Sequence, residues 1–164
     1  MADWAIDQTE HPMTIRIPCA VHHRSDIFEK DYSNLNKFKV VHRGERVALI
    51  GLGDFYQRAA AVALELRREG IDATLVNPRY ASGVDSDLLH ELSKTHDVFV
   101  TLENGVVEGG FGQKVAAALG DTGAKVLVRG LSKEFYDKVS FADLCEKNHL
   151  NPVQVAKEVV ALIS

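Results

Sequence analysis

Residues 98–112, VFVTLENGVVEGGFG, decide the fold of this chain. The stretch opens within an apolar run, Asp97–Leu102, which is typical of a strand buried on both faces of a sheet. A glycine-rich turn follows, and Phe111–Leu119 then has the composition and spacing of a helix that ends at Gly120. A buried strand followed by a helix predicts a parallel α/β sheet.

The turn in this stretch also carries the first candidate site. Glu103 stands at the carboxyl end of the strand, the edge at which open α/β sheets bind ligands. Gly109, Gly110 and Gly112 open the next helix and would leave free N–H groups near its positive end. One interpretation is an anion or partner site. The other is a tight structural turn, in which glycine allows positive φ and close approach while Glu103 accepts the helix N–H groups.

The same pattern repeats on both sides of this stretch. Four more segments have the character of short or buried strands: 38–42, 46–51, 73–77 and 125–129. Helices separate them, with Asp54, Asp85, Ser140 and Asn151 as N-caps and Gly70 as a terminator. We therefore predict a three-layer α/β fold, a mostly parallel sheet with helices on both faces. The strand at 38–42, joined by a short turn to the next, is expected to pair antiparallel.

The N-terminal segment is less regular. Met1–Glu10 reads as the tail of a helix, with Trp4 and Ile6 as core contacts. Met13–Ile17 alternates apolar and polar positions, the period of a half-buried strand. Cys19–Lys37 shows no period and is expected to be a linker, which often marks a domain boundary.

Composition excludes several classes of function. The 164 residues suit one domain, and the net charge of −4 argues against a nucleic-acid footprint or an anionic membrane surface. Two distant cysteines, with no basic signal segment, predict a reduced, cytoplasmic protein. The seven histidines form no ligand spacing with cysteine or carboxylate, so we expect no metal site.

Two further features have simple interpretations. Gly51-Leu52-Gly53 lies between a strand and a helix, as in dinucleotide-binding turns, but the pattern fails at Tyr56 and at Asn77. We therefore do not expect a nucleotide there. Arg79, just after a strand, either pairs with a carboxylate across an interface or is solvated.

Several stretches together resemble the C-terminal domain of transketolase-family thiamine diphosphate enzymes, and most closely the 1-deoxy-D-xylulose-5-phosphate synthase branch. The stretches are MTIRIP (13–18), GERVALIGLG (44–53), ATLVNPRYASGVD (73–85), VFVTLENGVVEGGFG (98–112), VLVRGLSKEF (126–135) and the closing segment 150–163. The GGFG turn after a strand ending in glutamate is the most specific of them, and it marks the superfamily. The resemblance implies that residues 1–37 are a remnant of a pyrimidine-binding domain with its linker, and that 38–164 form the C-terminal domain.

The resemblance also implies a larger parent enzyme, a dimer whose remaining domains hold thiamine diphosphate and magnesium. That family is a transferase family, and this branch joins pyruvate to glyceraldehyde 3-phosphate in isoprenoid biosynthesis. Its GDG…N cofactor motif is absent here. The resemblance thus implies that this chain binds no cofactor, has no catalytic residue of its own and is inactive alone. Its partners would be the remaining domains and a second copy.

One departure concerns the substrate. The synthases read R-Y-P-R-G at the end of the pyrimidine domain, and the second arginine helps to hold the substrate phosphate. This chain keeps Arg16 but places Cys19 at that second position, and a thiol gives no bidentate cationic contact. Either Arg24 or the pair His22 and His23 compensates, or the acceptor differs. These residues are the candidates for the substrate edge, while Arg79, Glu103 and the glycine turn serve structure or an interface.

Two alternatives stay open. The parent enzyme could be a transketolase or a 2-oxoacid dehydrogenase β subunit, which share the glycine turn. A different class of function is a free-standing assembly module that uses exposed helix faces and no cofactor.

Overall fold

A computed structural model of the chain describes residues 1–17 and 32–163. The chain divides into two units between Leu35 and Asn36. The first unit contains one short helix, α1 (Ala2–Asp7), with no buried residue. Ile6 is 80% exposed, so its prediction as a core contact is wrong. Residues 13–17 form no strand, since they pair with no strand among the described residues.

The second unit alternates strands and helices. A short 3-10 turn, Gly53–Phe55, precedes α2. The elements run in the order β1 (Lys39–His42), β2 (Arg46–Gly51), α2 (Tyr56–Arg68), β3 (Thr74–Asn77), α3 (Ser86–Ser93), β4 (His96–Val106), α4 (Phe111–Ala118), β5 (Lys125–Leu131), α5 (Phe141–Lys147) and α6 (Pro152–Ile163).

The strands form one sheet in the order β1-β3-β2-β4-β5. Strands β3, β2, β4 and β5 are parallel, and β1 is antiparallel, as the sequence predicts. The neighbour of β1 is β3, however, and not β2 across the short turn. Both sides of β2 are already occupied by β3 and β4, and the turn instead bonds to β3, where the Gly44 N–H donates to Thr74 Oγ1 at 2.9 Å.

Two hydrophobic cores lie on opposite faces of the sheet. Alternate residues of β2 face each core, with Val47 and Leu49 on one side and Ala48 and Ile50 on the other. Helices α2 and α6 cover the first face, and helices α3 and α4 cover the second. This confirms the predicted three-layer α/β fold, in which the central strands are buried on both faces along most of their length.

The helix boundaries follow the predicted caps in most cases. Asp85 accepts from the Leu88 N–H at 3.3 Å, and Ser140 accepts from the Asp143 N–H at 3.1 Å. Asn151 Oδ1 accepts from an N–H in the first turn of α6 at 3.0 Å. The face of α6 that packs on the sheet contains Val155, Ala156 and Val159, while Val153 in its first turn is 45% exposed.

Asp85 also fastens the chain where it enters the sheet. Its carboxylate, almost fully buried, accepts from the Phe38 N–H at 3.0 Å and from Lys37 Nζ at 2.9 Å. The Lys37 ammonium bonds Asp87 as well, at 2.8 Å, which raises the lysine pKa and lowers that of Asp87. We call Lys37, Phe38 and Asp85 the entry clasp.

Replacing Asp85 by alanine removes a helix cap and leaves the buried Phe38 N–H without its acceptor. We expect Asp85→Ala to lower the free energy of unfolding by about 2 kcal/mol in urea titrations. The matched control is Asp87→Ala, which removes an exposed carboxylate from the same lysine and should change stability little. Equal losses in both variants would contradict the clasp.

A buried histidine lies at the opposite, amino edge of the sheet. His96 is 3% exposed, with Nδ1 at 2.9 Å from the Leu92 carbonyl and Nε2 at 2.7 Å from Thr74 Oγ1. Burial lowers the pKa of His96, so the folded state holds the ring neutral. Neutral imidazole suits this site, because Nδ1–H donates to the carbonyl while Nε2 accepts from the hydroxyl.

This pKa shift makes stability depend on pH in a defined direction. As the pH falls through 6.5, the unfolded chain takes up a proton at His96 before the folded chain does. The contribution of His96 to the free energy of unfolding, which is fully present above pH 6.5, is therefore lost as the pH falls. We expect the difference in free energy of unfolding between wild type and His96→Gln to become smaller as the pH falls from 7.5 to 5.

His90 gives the opposite expectation, because its bond to the Ser86 carbonyl is the chief cause of a raised pKa. The difference in free energy of unfolding between wild type and His90→Gln should therefore become larger over the same pH range. Urea titrations across this range measure both differences.

Candidate functional site

The candidate site at the carboxyl edge is shaped by an irregularity in β4. Pairing of β4 with β5 passes from Leu102–Arg129 directly to Val106–Leu131, so four steps along β4 match two along β5. Such a bulge changes the direction in which side chains point. Glu103 lies within it and is 4% exposed.

The Glu103 carboxylate binds the first turn of α4. Its Oε2 accepts from the Phe111 N–H at 3.0 Å, and its Oε1 accepts from the Gly112 N–H at 2.8 Å. A negative charge at a helix N-terminus is favourable because the backbone dipoles and the unpaired N–H groups point towards it. Glu103 therefore satisfies the helix start from the neighbouring strand, one of the two interpretations that the sequence left open.

The N–H groups of the two glycines before the helix are also bonded within the chain. The Gly109 N–H donates to Gln113 Oε1 at 2.8 Å, and the Gly110 N–H donates to the Val107 carbonyl at 3.0 Å. Gly109 has φ of +74°, the left-handed region that favours glycine. In this conformation the four consecutive N–H groups of residues 109–112 are all used within the chain.

Close packing explains the other two glycines. A Cβ on Gly110 would lie 2.5 Å from the Val106 carbonyl oxygen. A Cβ on Gly112 would lie 2.4 Å from both Thr101 Oγ1 and Val128 Cγ1. These separations are below van der Waals contact, so α4 approaches the sheet this closely only because both positions lack a side chain.

A second contact joins the turn after β2 to the irregular part of β4. Asp54, predicted as a helix cap, makes no capping bond, because the chain first turns through the 3-10 segment before α2 begins. Its Oδ1 instead accepts from Asn104 Nδ2 at 2.6 Å. The order of the strands reverses between β2 and β4, the position at which open α/β sheets form a crevice. In this chain the hydrogen bond between Asn104 and Asp54 crosses from β4 to the turn after β2 at that position.

Arg79 binds the backbone of its own chain close to the start of the sheet. Its Nε and Nη2 both donate to the Lys37 carbonyl, at 3.0 and 2.7 Å. Its own N–H donates to Asn77 Oδ1 at 3.0 Å, and its φ is +64°, which is uncommon for a residue with a side chain. Arg79 thus holds the backbone of the entry clasp. Its role in an interface stays a prediction.

The substrate-edge candidates lie in the first unit. Arg16 is exposed, and residues 12–17 lie outside any helix or strand. His22, His23 and Arg24 lie outside the described residues, as does Cys19. The role of these residues at the substrate edge stays a prediction.

A hydrogen-bonded network after β5 was missed by the sequence analysis. The Ser132 N–H and Tyr136 Oη both donate to Asn148 Oδ1, at 2.8 and 3.1 Å, and Ser132 Oγ contacts Tyr136 Oη. Lys147 Nζ binds Glu134 at 2.8 Å and lies 5.3 Å from the centre of the Tyr136 ring. This ion pair lowers the pKa of Glu134 and raises that of Lys147. The members of the whole network are up to sixteen residues apart, so no short sequence motif identifies them.

The described residues do not fit thiamine diphosphate and magnesium. No three histidine, cysteine or carboxylate side chains of residues 1–17 and 32–163 converge as a metal site would require. Both Glu103 oxygens are already bonded to backbone N–H groups, and the GDG…N motif is absent from the sequence. We therefore derive no chemical step through that cofactor on this chain.

Comparison with known proteins identifies the family. Residues 36–155 match the model of the transketolase C-terminal domain. The chain belongs to this family. The match covers β1 to β5 and the start of α6, so it includes both the Glu103 turn and the entry clasp. It confirms the resemblance inferred from the motifs.

The curated relatives are 1-deoxy-D-xylulose-5-phosphate synthases. The chain is 34% identical to that of Gloeothece citriformis over 94% of its own length and 25% of the relative's. It is 33% identical to that of Mycobacterium leprae over 97% of its length and 25% of the relative's. The transketolase C-terminal domain of this chain is homologous to part of these synthases, and the whole chain spans about a quarter of their length.

A solved structure gives the same assignment. It is a split-gene transketolase described as an inactive β4 tetramer, with a TM-score of 0.70 and 27% identity. The similarity covers 77% of this chain and 42% of the other.

No helix of the described residues is long and apolar enough to cross a membrane.

The packing at Gly112 leads to a test. Gly112→Ala forces a methyl group against Thr101 and Val128, and we expect a loss of about 1–3 kcal/mol in the free energy of unfolding. Gly120→Ala is the matched control at the other end of α4. Its Cβ would meet the Ala117 and Ala116 carbonyl oxygens at 3.4 and 3.8 Å, close to or within ordinary van der Waals contact. Urea titrations that show Gly112→Ala no less stable than Gly120→Ala would contradict the packing argument.

Proposed function

We propose that this chain is the C-terminal part of a thiamine-diphosphate-dependent transferase of the 1-deoxy-D-xylulose-5-phosphate synthase type. The observation that carries the proposal is the 34% identity to the Gloeothece citriformis synthase, which extends over 94% of the chain and therefore includes residues of both units. The complete enzyme would join pyruvate to glyceraldehyde 3-phosphate in the cytoplasm.

In this proposal the chain supports catalysis without performing it. The remaining domains hold thiamine diphosphate and magnesium, while this domain contributes dimer contacts and the edge of the active site. Arg16, His22, His23 and Arg24 would lie nearest the substrate phosphate, because cationic and imidazole N–H groups bind phosphate oxygens. Glu103 and the glycine turn would hold α4 on the sheet, so that the carboxyl edge of the sheet keeps its shape.

A domain exchange tests the proposal. The whole chain replaces the aligned quarter of the Gloeothece citriformis synthase, and product formation from pyruvate and glyceraldehyde 3-phosphate is measured. We expect the chimera to keep kcat/KM within about tenfold of the parent, a cost of about 1.4 kcal/mol in transition-state stabilisation. The chain alone should form no product.

Two controls make the result decisive. Circular dichroism and a urea titration show whether the chimera is folded, and the parent synthase without its aligned quarter gives the activity that remains when this domain is missing. A folded chimera that is no more active than the shortened parent would overturn the proposal.

A transketolase is the second candidate for the parent, and the solved split-gene transketolase at TM-score 0.70 favours it. That protein is a split-gene transketolase, which is a precedent for a transketolase domain outside a single long polypeptide. Assaying the same chimera and a matching transketolase chimera side by side separates the two, since only the correct parent should accept the domain with little loss.

A further inference from the structure

The sheet of the second unit ends in two edge strands, β1 and β5. Strand β1 has four residues and a shift of register against β3, whereas β5 has seven residues and pairs without interruption with β4 from Lys125 to Arg129. A long and regular edge strand presents a row of unpaired N–H and C=O groups, to which a further strand can add. Strand β5 is therefore the edge at which this sheet could grow.

The backbone groups of β5 alternate between β4 and the open side of the sheet. The Leu131 carbonyl accepts from the Val107 N–H at 2.9 Å, so Leu131 directs its backbone groups towards β4. The residues two, four and six positions earlier share this direction, because successive residues of a strand alternate. The backbone groups of Val126 and Val128 consequently point to the open side. No strand of residues 1–17 and 32–163 pairs with that side.

An arginine covers the carbonyl in the middle of the open side. Arg129 Nη1 donates to the Val128 carbonyl at 3.0 Å. The other two nitrogens of the guanidinium, Nε and Nη2, both donate to Glu158 Oε2 on α6, with Nε at 3.1 Å. A planar guanidinium whose three nitrogens are all engaged cannot turn away from the carbonyl without losing the ion pair. Arg129 thus connects the edge of β5 to α6.

The ion pair that holds this arginine is better shielded than the others. The Arg129 and Glu158 side chains are 22% and 31% exposed, and no other ion pair within residues 1–17 and 32–163 has both side chains less than a third exposed. Glu158 Oε1 also lies 3.2 Å from His149 Nδ1, so a second group fixes the carboxylate. Solvent screens exposed ion pairs strongly and shielded pairs less, which favours a persistent contact here.

A second copy of β5 is a strand that fits this edge. In an antiparallel pair centred on Val128, the two Val128 residues are opposite each other, Arg129 is opposite Leu127, and Lys125 is opposite Leu131. No like charges are then directly opposed, which is the condition that favours cross-strand pairing. Such a pair would use the Val128 carbonyl as its central acceptor, and the added strand would have to displace the bond from Arg129.

We propose that Arg129, held by Glu158, is a guard that keeps the open side of β5 from pairing with β5 of a second copy. Natural sheets avoid edge-to-edge association by placing charged side chains on their edges, and here the charge is fastened over a particular carbonyl. The proposal goes beyond the proposed function, and it holds for whichever parent enzyme this domain serves.

Sedimentation velocity of the whole chain tests the guard. In Arg129→Ala the added strand no longer has to displace a charge-assisted hydrogen bond, so the concentration at which half of the chain is self-associated should fall about tenfold below that of wild type. The matched control is Lys125→Ala, which removes the same charge from the same face of β5. Lys125 Nζ donates to the Leu162 carbonyl of α6, and the Arg129 guard stays in place. An Arg129→Ala chain that is folded by circular dichroism but associates no more than Lys125→Ala would overturn the proposal.

Amide hydrogen exchange, measured by NMR, locates the contact. In wild type the N–H groups of Val126 and Val128 face the open side and should exchange faster than those of residues 127 and 129, which face β4. In associated Arg129→Ala, exchange at Val126 and Val128 should slow about tenfold or more as the new strand covers them. Association that leaves both amides as fast as in wild type would place the contact elsewhere and overturn the proposal.

A milder variant provides the test where the alanine variant does not fold. Arg129→Lys keeps the positive charge, but one ammonium group cannot reproduce the guanidinium contacts to both Glu158 and the Val128 carbonyl. We expect this variant to associate more strongly than wild type and less strongly than Arg129→Ala. A folded Arg129→Lys chain that associates no more than wild type would show that charge alone keeps the edge open, and it would overturn the role of the guanidinium.

Discussion

The carboxylate of Glu103 is the contact on which the carboxyl edge of this domain depends. It comes from the central part of the sheet and satisfies two N–H groups at the start of α4, across a turn that leaves no room for side chains at positions 110 and 112. The bulge in β4 is what brings the carboxylate to that helix. One side chain therefore sets the strand, the turn and the helix relative to each other.

Most of the fold could be predicted from the sequence, because the central strands contain short apolar runs and the helices α3, α5 and α6 begin at recognisable caps. The errors arose where a longer-range contact decides the structure. The partner of β1 depends on which edges of the sheet are already paired, which neither β1 nor its turn encodes. Asp54 looks like a cap locally, but the 3-10 turn and Asn104 give it another role.

The candidate site was predicted less completely. Glu103 and its glycines could be found because they are close in sequence and carry a family pattern. The sequence does not predict that Arg79 bonds the Lys37 carbonyl or that Ser132 bonds Asn148. These partners are 42 and 16 residues apart, and the fold of the sheet brings them together rather than any local spacing.

The entry clasp has a consequence for how the domain folds. Lys37 and Asp85 are 48 residues apart, so their contact closes a long loop. Closing this loop costs conformational entropy, which the contacts on both sides of the clasp must offset. The same carboxylate starts α3 and holds the chain just before β1. Opening of either element therefore removes a contact of the other, and this one carboxylate couples the antiparallel edge strand to α3.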